Sequence, residues 1–415
     1  MRLERFGLFL IAAIILTAAT RHVLTVGADA AEPFVDLRVV AAPSAAGSLA
    51  AQLSASADGR VYLSWLEPAG DGQMRFRLAE RRGGSWESRA DIVEGRDLFA
   101  NWADVPSVFA ASDGRLAAHW LQKSAGNAET YGIRVRTSAD GGRTWSPPFT
   151  PHRDASPTEH GFLSFFDAPG REIGMVWLDG RATGGGHGHQ ASTGAMTLRA
   201  TTIGGDGRPG PDVLVDDRVC DCCPTAATST PRGTLVAYRD RSPKEVRDIS
   251  LARLERGAWV APGAVHADGW KIPGCPVNGP ALAAAGDVVV LVWFTAAGDD
   301  GRVLAAFSRD GGLTFGAPAR VDDGVTLGRA DVELLPDGSA VVVWLAPSQG
   351  AGELRARRMF ADGRRGPAVT VAAVESGRAS GVPRVVRSGN ELLFAWRSPG
   401  PSPRVMVAVA FVPPA

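Results

Sequence analysis

The 415-residue chain is short of several things, and each shortage narrows its class. Formal net charge is zero, so the chain lacks the basic excess that nucleic-acid binding draws on. Lysine occurs only at Lys123, Lys244 and Lys271 while arginine is abundant, a bias of coding rather than of function. Beyond residue 19 no apolar run is long enough to span a bilayer. No stretch sustains a helical period, which removes helical bundles and α/β folds and leaves an all-β class. Tyrosine is confined to Tyr62, Tyr131 and Tyr238, so phenol chemistry has few places to reside. Only four cysteines occur, and they fall in two short stretches.

The first thing present is an export signal. Arg2 and Arg5 precede an apolar run from Phe6 to Ala19, and Ala28-Asp29-Ala30 offers a cleavage site before Ala31. Residues 1–30 therefore read as a signal peptide and 31–415 as the mature domain. The long spacer Thr20–Gly27 keeps an uncleaved anchor as the alternative. The expected protein is bacterial, periplasmic or secreted, monomeric, and without a membrane span after cleavage.

The second is a repeat. Seven apolar strands end in an aromatic, at Trp65, Trp120, Trp177, Tyr238, Trp293, Trp344 and Trp396, spaced 55, 57, 61, 55, 51 and 52 residues apart. A glycine turn stands five to seven residues before each, at Gly59, Gly114, Gly170, Gly233, Gly286, Gly338 and Gly389. Each unit has room for four short strands, A to D from the axis outward. Units of this length and composition predict a β-propeller, whose radial closure protects sheet edges. The last unit offers three strands, and the segment Phe34–Val40 has no unit of its own. The expectation is seven four-stranded blades, the last closed by the N-terminal strand.

Two longer motifs fix the outer turns. Ser138-Ala-Asp-Gly-Gly-Arg-Thr-Trp145 returns as Ser308-Arg-Asp-Gly-Gly-Leu-Thr-Phe315, each with a proline three residues after the aromatic. Asp140 and Asp310 are suited to accept turn amides, and Gly142 and Gly312 to take positive φ. The pattern resembles the Asp box of the sialidase (BNR-repeat) superfamily, and the chain resembles exported bacterial exo-α-sialidase-domain proteins. Sialidases have six blades, which makes six the alternative count. The resemblance implies a ligand site near the axis, on the face opposite the Asp boxes.

That face is formed by the D–A and B–C loops, and the unusual residues fall on it. One D–A loop carries Cys220, Cys222 and Cys223, and the next carries Cys275 and Asn278. Three readings stand side by side. An even cysteine count in an oxidising compartment predicts disulfides, such as one of the first three to Cys275. Clustered thiolates instead suit copper or zinc, with His187 and His189 of a neighbouring B–C loop as further ligands. A redox-active thiol pair is the third.

The B–C loop from Tyr238 to Asp248 adds Arg239, Arg241 and Arg247, placed to clamp a carboxylate or phosphate. Asp240 and Glu245 are candidate acid or base groups; so is Asp217, as the partner of Asp240 in a carboxylate pair. Tyr238 alone of the tyrosines borders this site. Asn101, Asp104, His160, Arg329, Asp331 and Arg384 approach the same centre from other D–A loops. The resemblance implies an arginine triad, a tyrosine nucleophile with a glutamate, and an aspartate acid/base. The chain departs from that set in having no Arg-Ile-Pro motif. The functional expectation is glycan binding or hydrolysis, with a glycan or other small anionic ligand on blades three to five. The alternatives are a periplasmic Cys/His copper or zinc protein and a non-catalytic interaction propeller.

Overall fold

The computed structural model describes residues 32–124, 130–183 and 194–413. The expected signal segment, His187 and His189 lie outside the described residues. The fold is an all-β propeller of seven blades, which settles the count at seven rather than six. The inner strands are Leu49–Ala55, Ser107–Ala110, His160–Ala168, Ala226–Thr230, Ala281–Ala285, Gly328–Leu334 and Arg384–Ser388. Each begins an antiparallel meander outward. In blade two the fourth position holds a single bridge, Val135 to Phe149, in place of a strand. No described helix is long and apolar enough to cross a membrane.

The ring closes as the terminal segments suggest. Val35–Val40 pairs antiparallel with Val405–Phe411 at the outer edge of blade seven, in the register Val40 to Val407 and Val35 to Phe411. Inner strands of blades seven and one pack side by side.

Between blades the core is built from the repeated aromatics. Trp65, Trp177 and Tyr238 are wholly buried, and the other four are at most 4% exposed. A buried indole or phenol N–H or O–H needs an acceptor. Trp65 donates to Glu67 at 2.7 Å, Trp177 to Asp179 at 2.9 Å, Trp293 to Asp268 at 2.7 Å and Tyr238 to Asp216 at 2.5 Å. All seven turn glycines have positive φ, the region that favours glycine in a tight hairpin.

Both Asp boxes have one geometry. Asp140 Oδ1 accepts the amides of Arg143 and Thr144 at 3.0 and 2.9 Å, and Asp310 Oδ1 accepts those of Leu313 and Thr314 at the same distances. Trp145 packs partly buried between blades one and two, and Phe315 between blades four and five. Gly312 is required twice over: its φ is +78°, and a Cβ there would lie 2.4 Å from Leu235 Cδ1. Gly312→Ala is expected to cost about 1–3 kcal/mol in urea unfolding. Gly316→Ala, whose Cβ would meet only the Phe307 carbonyl at 3.7 Å, is expected to stay within about 0.5 kcal/mol. Equal effects at the two positions would refute the steric account.

Candidate functional site

The loops entering the inner strands surround a cavity of about 260 Å³ at the axis, lined among others by Asp104, Thr225, Asn278, Arg329, Asp331 and Arg384. It sits where the inner strands begin, on the D–A face. A smaller cavity shares Val105 and Val382 with it and is lined by Trp102 and Trp396.

The mouth is shaped by a recurring irregularity. In blades one, three and six the inner strand starts with a β-bulge, and a residue near its start has positive φ: Ala50 at 59°, Phe162 at 53° and Arg329 at 52°. In blades three and six the bulge frees an amide from the ladder, and a side chain from the preceding blade's entry loop accepts it. Asp104 Oδ1 takes the Phe162 N–H at 2.8 Å, and Asn278 Oδ1 takes the Arg329 N–H at 2.6 Å. Asp331 Oδ2 serves blade seven in a similar way, accepting the Val385 N–H at 3.0 Å.

Two acids and two bases of this mouth differ in their compensation. Asp104 is 1% exposed, and its Oδ2 finds no well-aligned donor. Burial pushes its carboxyl up to about 7, against the Phe162 amide and the nearby Tyr131 phenol, which oppose the shift. The Tyr131 phenol is itself held well above its ordinary value by burial and then by the Asp104 charge. Burial also raises Asp331, with Arg384 opposing. Arg384 comes no nearer to that carboxylate than 4.0 Å, and its buried Nε has no partner.

Arg329 is the most exceptional group. Its Nη1 donates to the Gly377 carbonyl and Ser380 Oγ at 3.0 and 2.7 Å. Its guanidinium lies 4.5 Å from the Trp102 ring centroid, and Arg378 lies 5.8 Å from the same ring. Among the described residues neither arginine has a carboxylate within ion-pair distance. Burial and then the Arg378 charge lower Arg329 to about 10.

The other expected residues occupy different surroundings. Asn101 Oδ1 accepts the Ala103 amide at 2.9 Å. His160 stacks on His152 at 3.9 Å and faces Asp154 and Asp179 at 3.1 and 3.7 Å. Asp179 is already engaged by Arg181 and Trp177, so this group is a paired network beside blade three, apart from the axial cavity. Asp217 is exposed on the outer strand Val213–Val219. Tyr238 is committed to Asp216. Asp240 accepts its neighbour Arg241's amide at 2.6 Å and the Ser250 hydroxyl at 3.3 Å, and burial raises its carboxyl. None of Asp217, Tyr238, Asp240 and Glu245 lines the axial cavity.

The arginines of the blade-four loop are also engaged. Arg241 forks between Glu245 and Asp221, and Arg247 pairs with Glu245 at 2.8 Å. Arg239, 1% exposed, donates to the carbonyls of Asn278, Arg247 and Phe294 at 2.6–3.0 Å and lies 4.8 Å from the Trp270 ring.

The four cysteines meet beside this joint as separate thiols. The neighbouring Cys222 and Cys223 thiols, and then the Arg247 charge, hold Cys220 well below the ordinary thiol value despite its burial.

Trp102, which the repeat pattern does not single out, lies between the expected residues Asn101 and Asp104. An aromatic next to polar residues in an entry loop is the signal for it.

Comparison with solved structures agrees on the fold. A protein of unknown function from Dyadobacter fermentans matches at TM-score 0.53 and 15% identity, over 92% of this chain and 99% of that one. A Hadza microbial sialidase, Hz136, matches at 0.51 and 13%, over 81% and 73%. The α-L-arabinanase of Penicillium chrysogenum, solved with arabinobiose, matches at 0.51 and 12%, over 91% and 98%. The chain thus has a sialidase-like β-propeller fold. No protein-family model and no curated protein matches it.

Proposed function

We propose that the axial cavity binds a carboxylate-bearing sugar of a glycan and that Asp104 moves a proton there, in glycoside hydrolysis. The observation that carries this is Arg329. A cation at the cavity wall without a carboxylate partner is costly unless an anion completes it. Arg329 has Arg378 and Trp102 beside it, and Arg384 lines the same cavity. An arginine fork recognises a carboxylate. Asp104 has the property of a general acid, a carboxyl raised towards neutrality by burial. Asp331 is a second carboxylate of the same cavity, and most glycoside hydrolases work with such a pair.

Glycan-acting neighbours of the same fold support the class without choosing the sugar, because one fold hosts many chemistries. On this reading the catalytic groups are Asp104 and Asp331 rather than Asp217, Tyr238, Asp240 and Glu245, none of which lines the axial cavity.

The test is calorimetric binding of paired oligosaccharides, sialylated or uronate-terminated against the neutral parent. Acidic sugars are expected to bind, and Arg329→Met to weaken them at least about tenfold, the worth of one charge-assisted contact. Equal binding of the neutral parent, or unchanged affinity in Arg329→Met, would overturn the reading.

A further inference from the structure

The two cysteine loops are held together before any sulfur chemistry is considered. Cys220 follows directly on the outer strand of blade three, and its amide donates to the Arg239 carbonyl at 3.0 Å. The loop carrying Cys275 is fixed on both sides. Upstream, the Trp270 carbonyl accepts the Arg247 amide at 2.8 Å and the Ile272 amide donates to the Glu245 carbonyl at 3.0 Å. Downstream, the Asn278 carbonyl takes two bonds from Arg239. The loops then abut at Gly279, where a Cβ would lie 2.1 Å from the Pro224 carbonyl oxygen. Only glycine allows that approach.

The sulfurs form one cluster. Cys220 and Cys223 sulfurs are 3.5 Å apart, and those of Cys220, Cys222 and Cys223 all lie within 4.8 Å of one another. Cys275, partly exposed, stands on the loop that Gly279 presses against Pro224, next to this group. Thiolates around a tetrahedral ion with metal–sulfur bonds of about 2.3 Å stand about 3.8 Å apart, a spacing that the Cys220, Cys222 and Cys223 sulfurs already match, while the Cys275 sulfur, on the abutting loop, lies beyond 4.8 Å from at least one of them. Arg247 Nη1 donates to Cys220 Sγ at 3.3 Å, the kind of outer contact that steadies a thiolate ligand. Cys220 and Cys223 are each 1% exposed, which suits a closed site rather than one open to substrate.

From this geometry we infer a four-thiolate site for a soft d10 ion, copper(I) or zinc, formed by Cys220, Cys222, Cys223 and Cys275. Its ligands are followed closely by Pro224, Thr225, Val277 and Asn278, all of which line the axial cavity. A bound ion would therefore fasten one wall of that cavity, while its own existence does not depend on what the cavity binds.

The test uses the full exported chain, purified from its native compartment without reductant. Elemental analysis is expected to give about one copper or zinc per chain. Four thiols should become titratable only on unfolding with a chelator. A copper(I) chelator and a zinc chelator used in turn distinguish the two ions. Cobalt(II) substituted into the wild-type chain should give tetrahedral thiolate-to-metal absorption, a readout that needs no variant. Cys222→Ser and Cys275→Ser are expected to weaken retention at least about tenfold. A chain isolated with disulfides, its mass lower by two hydrogens per bond, would overturn the assignment. So would a fully reduced chain that binds none of the three ions, or undiminished retention in both serine variants.

Discussion

Asp104→Asn is expected to make the protein more stable at neutral pH and, if the proposed function holds, to abolish hydrolysis of an acidic glycoside. Burial lifts the folded-state value of Asp104 from 3.8 to about 7. For a group raised on folding, the stabilising contribution is complete below the unfolded value and is lost as pH rises through the folded one. The wild type therefore loses stability between about pH 4 and about pH 7, because burying the ionised carboxylate costs more than leaving it in water. Asparagine keeps the acceptor for the Phe162 amide and has no charge to bury. The stability difference between variant and wild type should grow by about 4 kcal/mol from pH 4 to pH 8, since a tenfold change in proton affinity is worth about 1.4 kcal/mol. Chemical denaturation at a series of pH values measures it, and all other titrating groups cancel in the comparison. A flat difference would show that Asp104 is not the buried acid described. The gain on removing a functional group is the signature of a site that holds strain for its task. Loss of glycoside turnover without the stability gain would leave Asp104 with a role in catalysis and no unusual acidity.

Arg239→Met should act in the opposite direction, costing about 3–5 kcal/mol. Methionine fills a similar volume against Trp270 but leaves the carbonyls of Asn278, Arg247 and Phe294 without their donor. Those carbonyls belong to the joint between blades four and five, so the expected damage is local before it is global. Hydrogen exchange should rise first in the loops around Cys220 and Cys275. Arg239→Lys should fall between, because an ammonium lacks the planar fork that reaches three carbonyls at once. A methionine variant within about 1 kcal/mol of wild type, on the order of one ordinary hydrogen bond, would mean the arginine is dispensable to the joint.

The parts of this molecule that a reader of the sequence finds are those written locally and repeatedly. Trp65 and its six counterparts recur with a glycine turn at nearly constant distance, so seven blades and their closure by residues 35–40 follow from spacing. The Asp boxes are contained within eight residues each. What stays hidden is made between blades. Nothing near Phe162 announces the bulge whose amide Asp104 accepts, because the two residues are 58 positions apart. Arg239 and Arg329 look alike in sequence. One is saturated by carbonyls of its own loop and of the next blade, while the other lines the axial cavity with no carboxylate within ion-pair distance among the described residues. The cysteine loops were legible as neighbours, since consecutive entry loops share a face. That Gly279 presses them together depends on backbone approach, which composition does not encode.

The closing strand also orders events in time. A ribosome releases Val35–Val40 long before Val405–Phe411, its partner in blade seven. Until then the first strand has no place to dock and the gap between blades seven and one stays open. Contacts of such sequence separation form late and slowly. A chain interrupted anywhere short of residue 405 would carry an orphan strand and an unsealed sheet edge, both invitations to aggregation. The clasp thus acts as a check on completeness, shutting the ring only for a molecule whose last strand has been made.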